Sequence, residues 1–184
     1  MRSLQDHFLI AMPAMADPNF NETVTYVCKH DVEGAFGIVI NRPSDLSLAE
    51  MLGQLAIELK NRGLAERPVM HGGPVEPQRG FVLHRSDQPF EATLAIGGEI
   101  KLTSSPDILA AIGHDVGPEP VLVALGYAGW GRGQLEAELA TNTWLTVPAS
   151  PSIIFDTPLE QRWTAALGLP GVDIQRITEY AGHA

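Results

Sequence analysis

The strongest constraint on the fold is a series of short apolar stretches separated by turn residues. Each stretch suits a strand better than a helix, since the stretches are brief and turn residues bound them. They are residues 8–12, 24–27, 35–40, 81–83, 93–96, 121–125 and 144–147. Asp31-Val-Glu-Gly34 predicts a tight turn between the second and third strands, and Gly97-Gly98 predicts another between two later strands. The pattern therefore favours antiparallel pairing in much of the sheet.

Helical segments interrupt the strands without a regular alternation. A helix is predicted over residues 47–60, where Ser47 and Glu50 have the spacing of a capping box. Its apolar face would consist of Leu48, Met51, Leu52, Leu55 and Leu59. Shorter helices are predicted over 105–112 and 157–167, each opened by a capping residue and a proline. This irregular order predicts an α/β (α+β) fold with mixed, partly antiparallel sheets, in one domain over residues 1–184.

Charge and composition exclude some classes of protein. The chain has 22 acidic and 12 basic residues, a formal charge of −10, which disfavours direct nucleic-acid binding. The single cysteine, Cys28, cannot form an intramolecular disulfide, and this favours a reducing compartment. The first apolar run is too short for a signal peptide or a membrane span. We therefore expect a cytoplasmic protein that does not enter the membrane.

Residues 125–139 combine an apolar stretch, four glycines and a helical pattern. Such a segment could cradle a phosphate at a helix N-terminus, or it could be a tight packing turn. The spacing fits neither the Walker loop nor the dinucleotide-binding motif. Tyr127 and Trp130 beside these glycines could bind a ligand or partner, or they could cap the edge of a core.

A second candidate site lies near the end of a predicted strand. Cys28 and His30 are two residues apart, so an ideal strand would place them on one face, as a thiol and its base. The alternative is a buried cysteine beside a histidine at the strand end. Arg42 could bind an anion, or it could brace a loop by bonding backbone carbonyls. The spacing of His71 and His84 supports no metal site, so we expect neither a metal nor another cofactor.

Many blocks of the chain together resemble the AlgH/YqgE family of small bacterial proteins. The blocks are 7–13, 17–20, Tyr26-Val-Cys28-Lys-His30, 34–43, 72–75, 80–84, Leu125-Gly-Tyr127, Trp130, Gly133-Gln-Leu-Glu136, Glu138, Asp156-Thr-Pro158, Arg162-Trp163 and 182–184. The resemblance implies a compact α/β unit whose strands curl into a small barrel-like sheet flanked by helices. It also brings the name of a transcriptional regulator, without a reaction, a ligand or a DNA site. Of the four glycines, only Gly126 and Gly133 occupy positions that the family pattern requires.

Our first hypothesis is a non-catalytic regulatory protein that binds a small ligand or a protein partner. Its predicted binding residues are Asn41, Arg42, Gly72, Gly73, Tyr127, Trp130 and Gln134. The alternative is a thiol-dependent or hydrolytic enzyme that uses Cys28 as nucleophile and His30 as base. Direct regulation of DNA is a third hypothesis, which the acidic charge disfavours.

Overall fold

The computed structural model describes residues 2–173, 175 and 177, and within them the chain forms a ten-stranded sheet with helices on both faces. The strands are β1 (His7–Ala11), β2 (Val24–Asp31), β3 (Gly34–Val39), β4 (Pro43–Ser47), β5 (Pro68–His71), β6 (Val75–His84), β7 (Thr93–Gly97), β8 (Ile100–Thr103), β9 (Val121–Gly131) and β10 (Trp144–Pro148). The helices are α1 (Leu48–Gln54), α2 (Asp107–Gly113), α3 (Gln134–Ala140), α4 (Pro151–Phe155) and α5 (Arg162–Leu167), with 3₁₀ turns at Arg62–Leu64 and Leu159–Gln161. None of the helices among the described residues has the length and apolar character that crossing a membrane requires.

The sheet is mostly antiparallel and curls into a half-barrel. Its main order is β10-β1-β2-β3-β9-β6-β8-β7, while β4 pairs with β5 and β5 pairs with β9. The β5–β9 pair is parallel, and it covers only Met70 opposite Ala124 and His71 opposite Leu125. Both predicted turns are confirmed, since Asp31 pairs with Gly34 and Gly97 pairs with Ile100. The expected mixed fold with a barrel-like sheet is therefore confirmed.

Alternating residues of the strands are buried on opposite faces of the sheet. In β1, Phe8 and Ile10 belong to a core cluster that α4 and α5 cover, whereas Leu9 and Ala11 belong to a cluster beneath α3. A further cluster packs α1 and α2 against β5, β6 and β9. Burial on both faces explains why the strands appear in the sequence as apolar runs rather than as alternating patterns.

The first glycines of residues 125–139 do not form a phosphate-binding loop, because β9 continues through them to Gly131. Gly126 lies in this strand with a φ of +77°, and a side chain there would meet the carbonyl oxygen of Gly73. A side chain on Gly73 would in turn meet the backbone of Tyr127. These glycines therefore let two backbones approach each other, and a regular strand with side chains could not do so.

The helix predicted over residues 47–60 is confirmed at its start and wrong at its end. Ser47 and Glu50 form the capping box, but α1 ends at Gln54 and Ala56 has a positive φ of 57°. The following backbone bonds to α2 instead, where the Lys60 N–H donates to the carbonyl of Gly113. Sequence reasoning also missed β4, β5 and α4, whose short or proline-containing segments lack a clear periodic pattern.

The carboxylate of Glu138 helps to fasten α3 to the sheet. Oε2 of Glu138 accepts hydrogen bonds from the indole N–H groups of Trp130 and Trp144, each at 2.8 Å. Oε1 of the same group accepts from Gln134 Nε2 at 3.0 Å. Both indoles are buried, so Glu138 satisfies two donors that would otherwise lose their hydrogen bonds to water on folding.

We expect Glu138→Ala to lower the free energy of unfolding by about 2–4 kcal/mol, because it leaves two buried indole donors without an acceptor. Urea denaturation followed by tryptophan fluorescence measures the change. Glu99→Ala is the matched control, since it removes an exposed ion pair with Arg85 and should cost less than about 1 kcal/mol. Equal losses in the two variants would contradict the role given to Glu138.

Candidate functional site

The structure separates the residues of the predicted binding face. Tyr127 packs against Phe36 and Phe81, with ring centroids at 5.1 and 5.9 Å, on the face that α4 and α5 cover. Trp130 lies in the cluster beneath α3, on the other face. Gln134 is at the start of α3, where its Oε1 accepts from the backbone N–H of Gly131. Tyr127 and Trp130 therefore cannot contact one small ligand together.

Asn41 and Arg42 hold the loop that precedes β2. Nδ2 of Asn41 donates to the carbonyl of Glu22, and its Oδ1 accepts from the N–H of Val24. Arg42 donates to the carbonyl of Pro18 and to both the carbonyl and the side-chain oxygen of Asn21. These contacts match the bracing alternative for Arg42.

Two of the predicted binding residues do meet. Arg42 and Gly73 line a small hollow of about 210 Å³ together with Asn19, His71, Pro74 and Pro77. Gly72 lies beneath the surface, and a side chain on it would meet the carbonyl of Gly126. Arg42 donates to three oxygen atoms of its neighbours, so in this hollow it braces the loop.

A bulge in β2 separates Cys28 from His30. The register with β3 shifts between Val27 and Lys29, which makes Cys28 the extra residue. Cys28 lies in the cluster beneath α4 and α5, whereas His30 pairs with Ala35, a residue of the cluster beneath α3. The expected common face is therefore wrong, because one bulged residue reverses the alternation of all that follow it.

The surroundings of His30 are those of a neutral ring with a structural role. Its Nδ1 accepts from the N–H of Leu4 at 3.0 Å, which places the ring proton on Nε2. Nε2 then donates to Oε1 of Glu136 at 2.8 Å. The backbone N–H of Glu136, and to a smaller extent the hydrogen bond from His30, lower the pKa of the Glu136 carboxyl. His30 thus connects the N-terminal segment to α3.

The thiol of Cys28 is in an environment that suppresses its reactivity. Cys28 is fully buried, and its Sγ lies 3.5 Å from the carbonyl of Tyr26. Burial raises the pKa of the Cys28 thiol, since a thiolate in an apolar core loses its hydration. A nucleophilic cysteine requires the opposite shift. The geometry gives the enzyme hypothesis no support.

A cavity of about 470 Å³ lies beside the starts of β5 and β9. The two strands pair only at Met70 and His71 of β5, and Pro68 and Val121, where each strand begins, lie outside that pairing. The chain segment from α4 to α5 closes one side and Leu48 of α1 contributes to the other. The lining residues are Leu48, Arg67, Pro68, Met70, Glu119, Pro120, Val121, Leu122, Val123, Ile154, Phe155, Asp156, Leu159 and Arg162. We call this cavity the β5–β9 pocket.

Arg162 is the buried charge of the β5–β9 pocket, with only 8% of its surface exposed. Its Nε donates to the carbonyl of Thr157 at 2.9 Å, and its Nη1 donates to the carbonyl of Ile40. Within the described part of the chain, no carboxylate forms an ion pair with it. Burial lowers the pKa of the Arg162 guanidinium to about 10, so it stays charged at neutral pH.

The other charged groups of the pocket lie at its rim. Arg67 and Glu119 form an ion pair at 3.0 Å with both side chains well exposed, and so they largely neutralise each other. Asp156 is exposed at the C-terminal end of α4. The pocket therefore presents one buried cation among apolar walls and one unpaired carboxylate at the entrance, as judged from the described residues.

Sequence reasoning missed Arg162 as a site residue. The block Arg162-Trp163 contributed to the family resemblance, but an arginine in a predicted helix is ordinarily exposed. One signal for a buried position was the sequence Asp156-Thr-Pro158, which predicts a sharp turn before the helix. Such a turn would bring the first residues of the helix close to the sheet. Nothing local, however, indicates that Ile40 approaches Arg162 from the other end of the chain.

We expect Cys28 to resist iodoacetamide at neutral pH in the folded protein, because its raised pKa leaves almost no thiolate and the core excludes the reagent. The same thiol should react fully in concentrated guanidinium chloride, which serves as the control. Mass spectrometry of the intact protein counts the added groups. Rapid modification of the native protein would restore the enzyme hypothesis.

Comparison with known proteins gives consistent matches over nearly the whole chain. The model of the family described as AlgH-like, DUF179, matches residues 8–175. A UPF0301 protein of Methylococcus capsulatus is 51% identical over 180 residues, which cover 98% of this chain and 96% of the relative. A UPF0301 protein of Nitrosococcus oceani has the same identity and coverage.

Two solved structures share the fold. The solution structure of the AlgH protein from Pseudomonas aeruginosa has a TM-score of 0.80 and 50% identity, with 100% of both chains covered. A crystal structure of a protein from Corynebacterium diphtheriae has a TM-score of 0.72 at 19% identity, over 93% of this chain and 90% of that one, and shows the fold alone. The resemblance drawn from the sequence blocks is thus confirmed, and the chain belongs to the AlgH-like UPF0301 family.

Proposed function

We propose that the protein is a non-catalytic regulatory protein that binds a small ligand in the β5–β9 pocket. The observation that carries the proposal is Arg162, a buried guanidinium that lines the pocket and bonds only to backbone carbonyls among the described residues. Burying a charge is costly unless it is paired or has a use, and buried charges are characteristic of functional sites.

The composition and size of the pocket also support binding. Its volume of about 470 Å³ lies in the range of small-molecule sites, roughly 300–1,000 Å³. Ten of the fourteen lining residues are apolar and the other four are charged, so apolar side chains are combined with a few charged groups, as in ligand pockets generally. The lining contains no serine, cysteine, threonine or histidine, so it lacks the common nucleophiles and their usual base.

The position of Arg162 suggests how binding could regulate the protein. Through Ile40 it holds α5 to the end of β3, and through Thr157 it holds the turn that follows α4. A ligand that bonds to the guanidinium therefore acts on the group that fastens α4 and α5 to the sheet. Binding is expected to change the stability of that attachment, which is the kind of coupling a regulatory protein needs.

We expect a thermal-shift screen of metabolites to find ligands that stabilise the native protein more than Leu159→Trp, whose larger side chain takes up part of the pocket. A ligand at a hundred times its Kd adds about 2.7 kcal/mol of stability. For a chain of this size the melting temperature should then rise by roughly 5–10 °C.

Leu55→Trp is the matched control, because Leu55 is 51% exposed and lies outside the lining of the pocket. This variant should respond to each ligand as the native protein does. The proposal fails if no compound stabilises the native protein, or if every stabilising compound acts equally on Leu159→Trp.

A further inference from the structure

The hydrogen bonds of Arg162 leave donors available inside the pocket. A guanidinium has five N–H donors, and here the carbonyls of Thr157 and Ile40 engage Nε and Nη1. Among the described residues Nη2 has no hydrogen-bond partner, yet it is not among the fully buried polar atoms that lack one. It is therefore in contact with solvent, and Arg162 lines the cavity. The two N–H groups of Nη2 remain free to donate to an anion there.

The charge of Arg162 requires compensation that the described residues do not supply. Its bonding partners are neutral carbonyls, and its pKa is lowered by burial without an opposing contribution from a nearby anion. An anionic group placed at Nη2 would pair with a partly desolvated charge, where attraction is much stronger than in water. This favours an anion over a neutral ligand.

The walls of the pocket indicate the rest of the ligand. Apolar side chains come from both sides of the sheet opening, with Met70 and Leu122 on the strands and Phe155 and Leu159 on the helical side. Apolar surface of this kind gains free energy when it is covered by another apolar group, at about 25 cal/mol per Å². A bare inorganic anion would leave these walls in contact with water.

The remaining charges select against a doubly charged anion. Asp156 is exposed at the rim, more than the ion-pair distance from Arg162, and Glu119 is already paired with Arg67. The chain as a whole carries a formal charge of −10. A phosphate monoester has a charge of about −1.5 to −2 at neutral pH, whereas a carboxylate has about −1. Repulsion from Asp156 and from the rest of the chain is therefore smaller for the carboxylate.

We infer that the ligand of the β5–β9 pocket is an organic monocarboxylate, whose carboxylate accepts hydrogen bonds from Nη2 of Arg162 while its apolar body covers Met70, Leu122, Phe155 and Leu159. This inference rests on the function proposed above and specifies the chemical class of the ligand. It also assigns to Asp156 the role of disfavouring phosphate esters at the entrance.

The test compares acids with their neutral amides. Hydrocinnamate, decanoate and indoleacetate are titrated into the native protein beside hydrocinnamamide, decanamide and indoleacetamide, and two-dimensional amide NMR spectra report the affinity and the position of binding. We expect at least one acid to shift the signals of residues 40, 157 and 162. Its amide should bind at least tenfold more weakly, since it keeps the body and loses the charge.

Substitutions in the pocket show which residues determine the binding of the acid and of the amide. Arg162→Gln keeps a hydrogen-bond donor and removes the charge, and it should weaken binding of the acid at least tenfold while leaving the amide unchanged. Leu159→Trp should weaken binding of both, and Leu55→Trp should affect neither. If Arg162→Gln does not give the NMR spectrum of a folded protein, the acid–amide comparison in the native protein still decides the class.

Asp156→Asn tests the selection among anions without altering the bonds of Arg162. Phenethyl phosphate should bind more weakly than hydrocinnamate to the native protein. In the variant its affinity should rise several-fold, and by more than that of hydrocinnamate, because removal of a like charge benefits the dianion more. Equal gains, or no gain, would remove the role assigned to Asp156.

The two proposals fail in different ways. If a ligand from the thermal-shift screen depends on an open pocket but binds equally well without its negative charge, the pocket is a binding site and the monocarboxylate class is wrong. Tighter binding of phenethyl phosphate than of hydrocinnamate to the native protein would also overturn the class. If no acid in the panel binds and no screened compound depends on the pocket, both proposals are wrong.

Discussion

The structure depends on the close approach of two backbones, at Gly72-Gly73 after β5 and at Gly126 within β9. β9 is the central strand of the fold, and it pairs with β3, β5 and β6. The close approach is possible only because these positions have no side chains. It follows the short parallel pairing of β5 and β9, and the β5–β9 pocket lies at the opposite end of that pairing, where the two strands begin.

The buried charge of Arg162 has a structural use beside the pocket. Buried backbone carbonyls need donors, and those that lie outside strand and helix pairing must find them elsewhere. Arg162 supplies donors to Ile40 and Thr157 from a helix on one face of the sheet. The guanidinium has more N–H donors than these two carbonyls accept from, so N–H groups remain for a ligand in the pocket.

Several features of the fold could be predicted from local patterns. The capping box at Ser47 and Glu50, the hairpin at Asp31–Gly34 and most apolar strands depend on residues close together in the chain. Predictions were wrong where distant contacts compete with local preference. The helix after Ser47 ends early because its continuation bonds to Gly113, and the supposed glycine loop is a strand because its glycines face Gly73. The candidate residues were affected in the same way, since one bulge at Cys28 separates it from His30.

By itself, the sequence determined the mixed class of fold, the family to which the chain belongs and the negative net charge, which repels anionic ligands. These follow from composition, short-range spacing and blocks of residues in register. Only the tertiary structure decided that Arg162 is buried, that Tyr127 and Trp130 lie on opposite faces, and that a pocket opens between β5 and β9. The physical reason is that burial and hydrogen-bond satisfaction depend on partners more than a hundred positions away, as Ile40 is from Arg162, where |i−j| is 122.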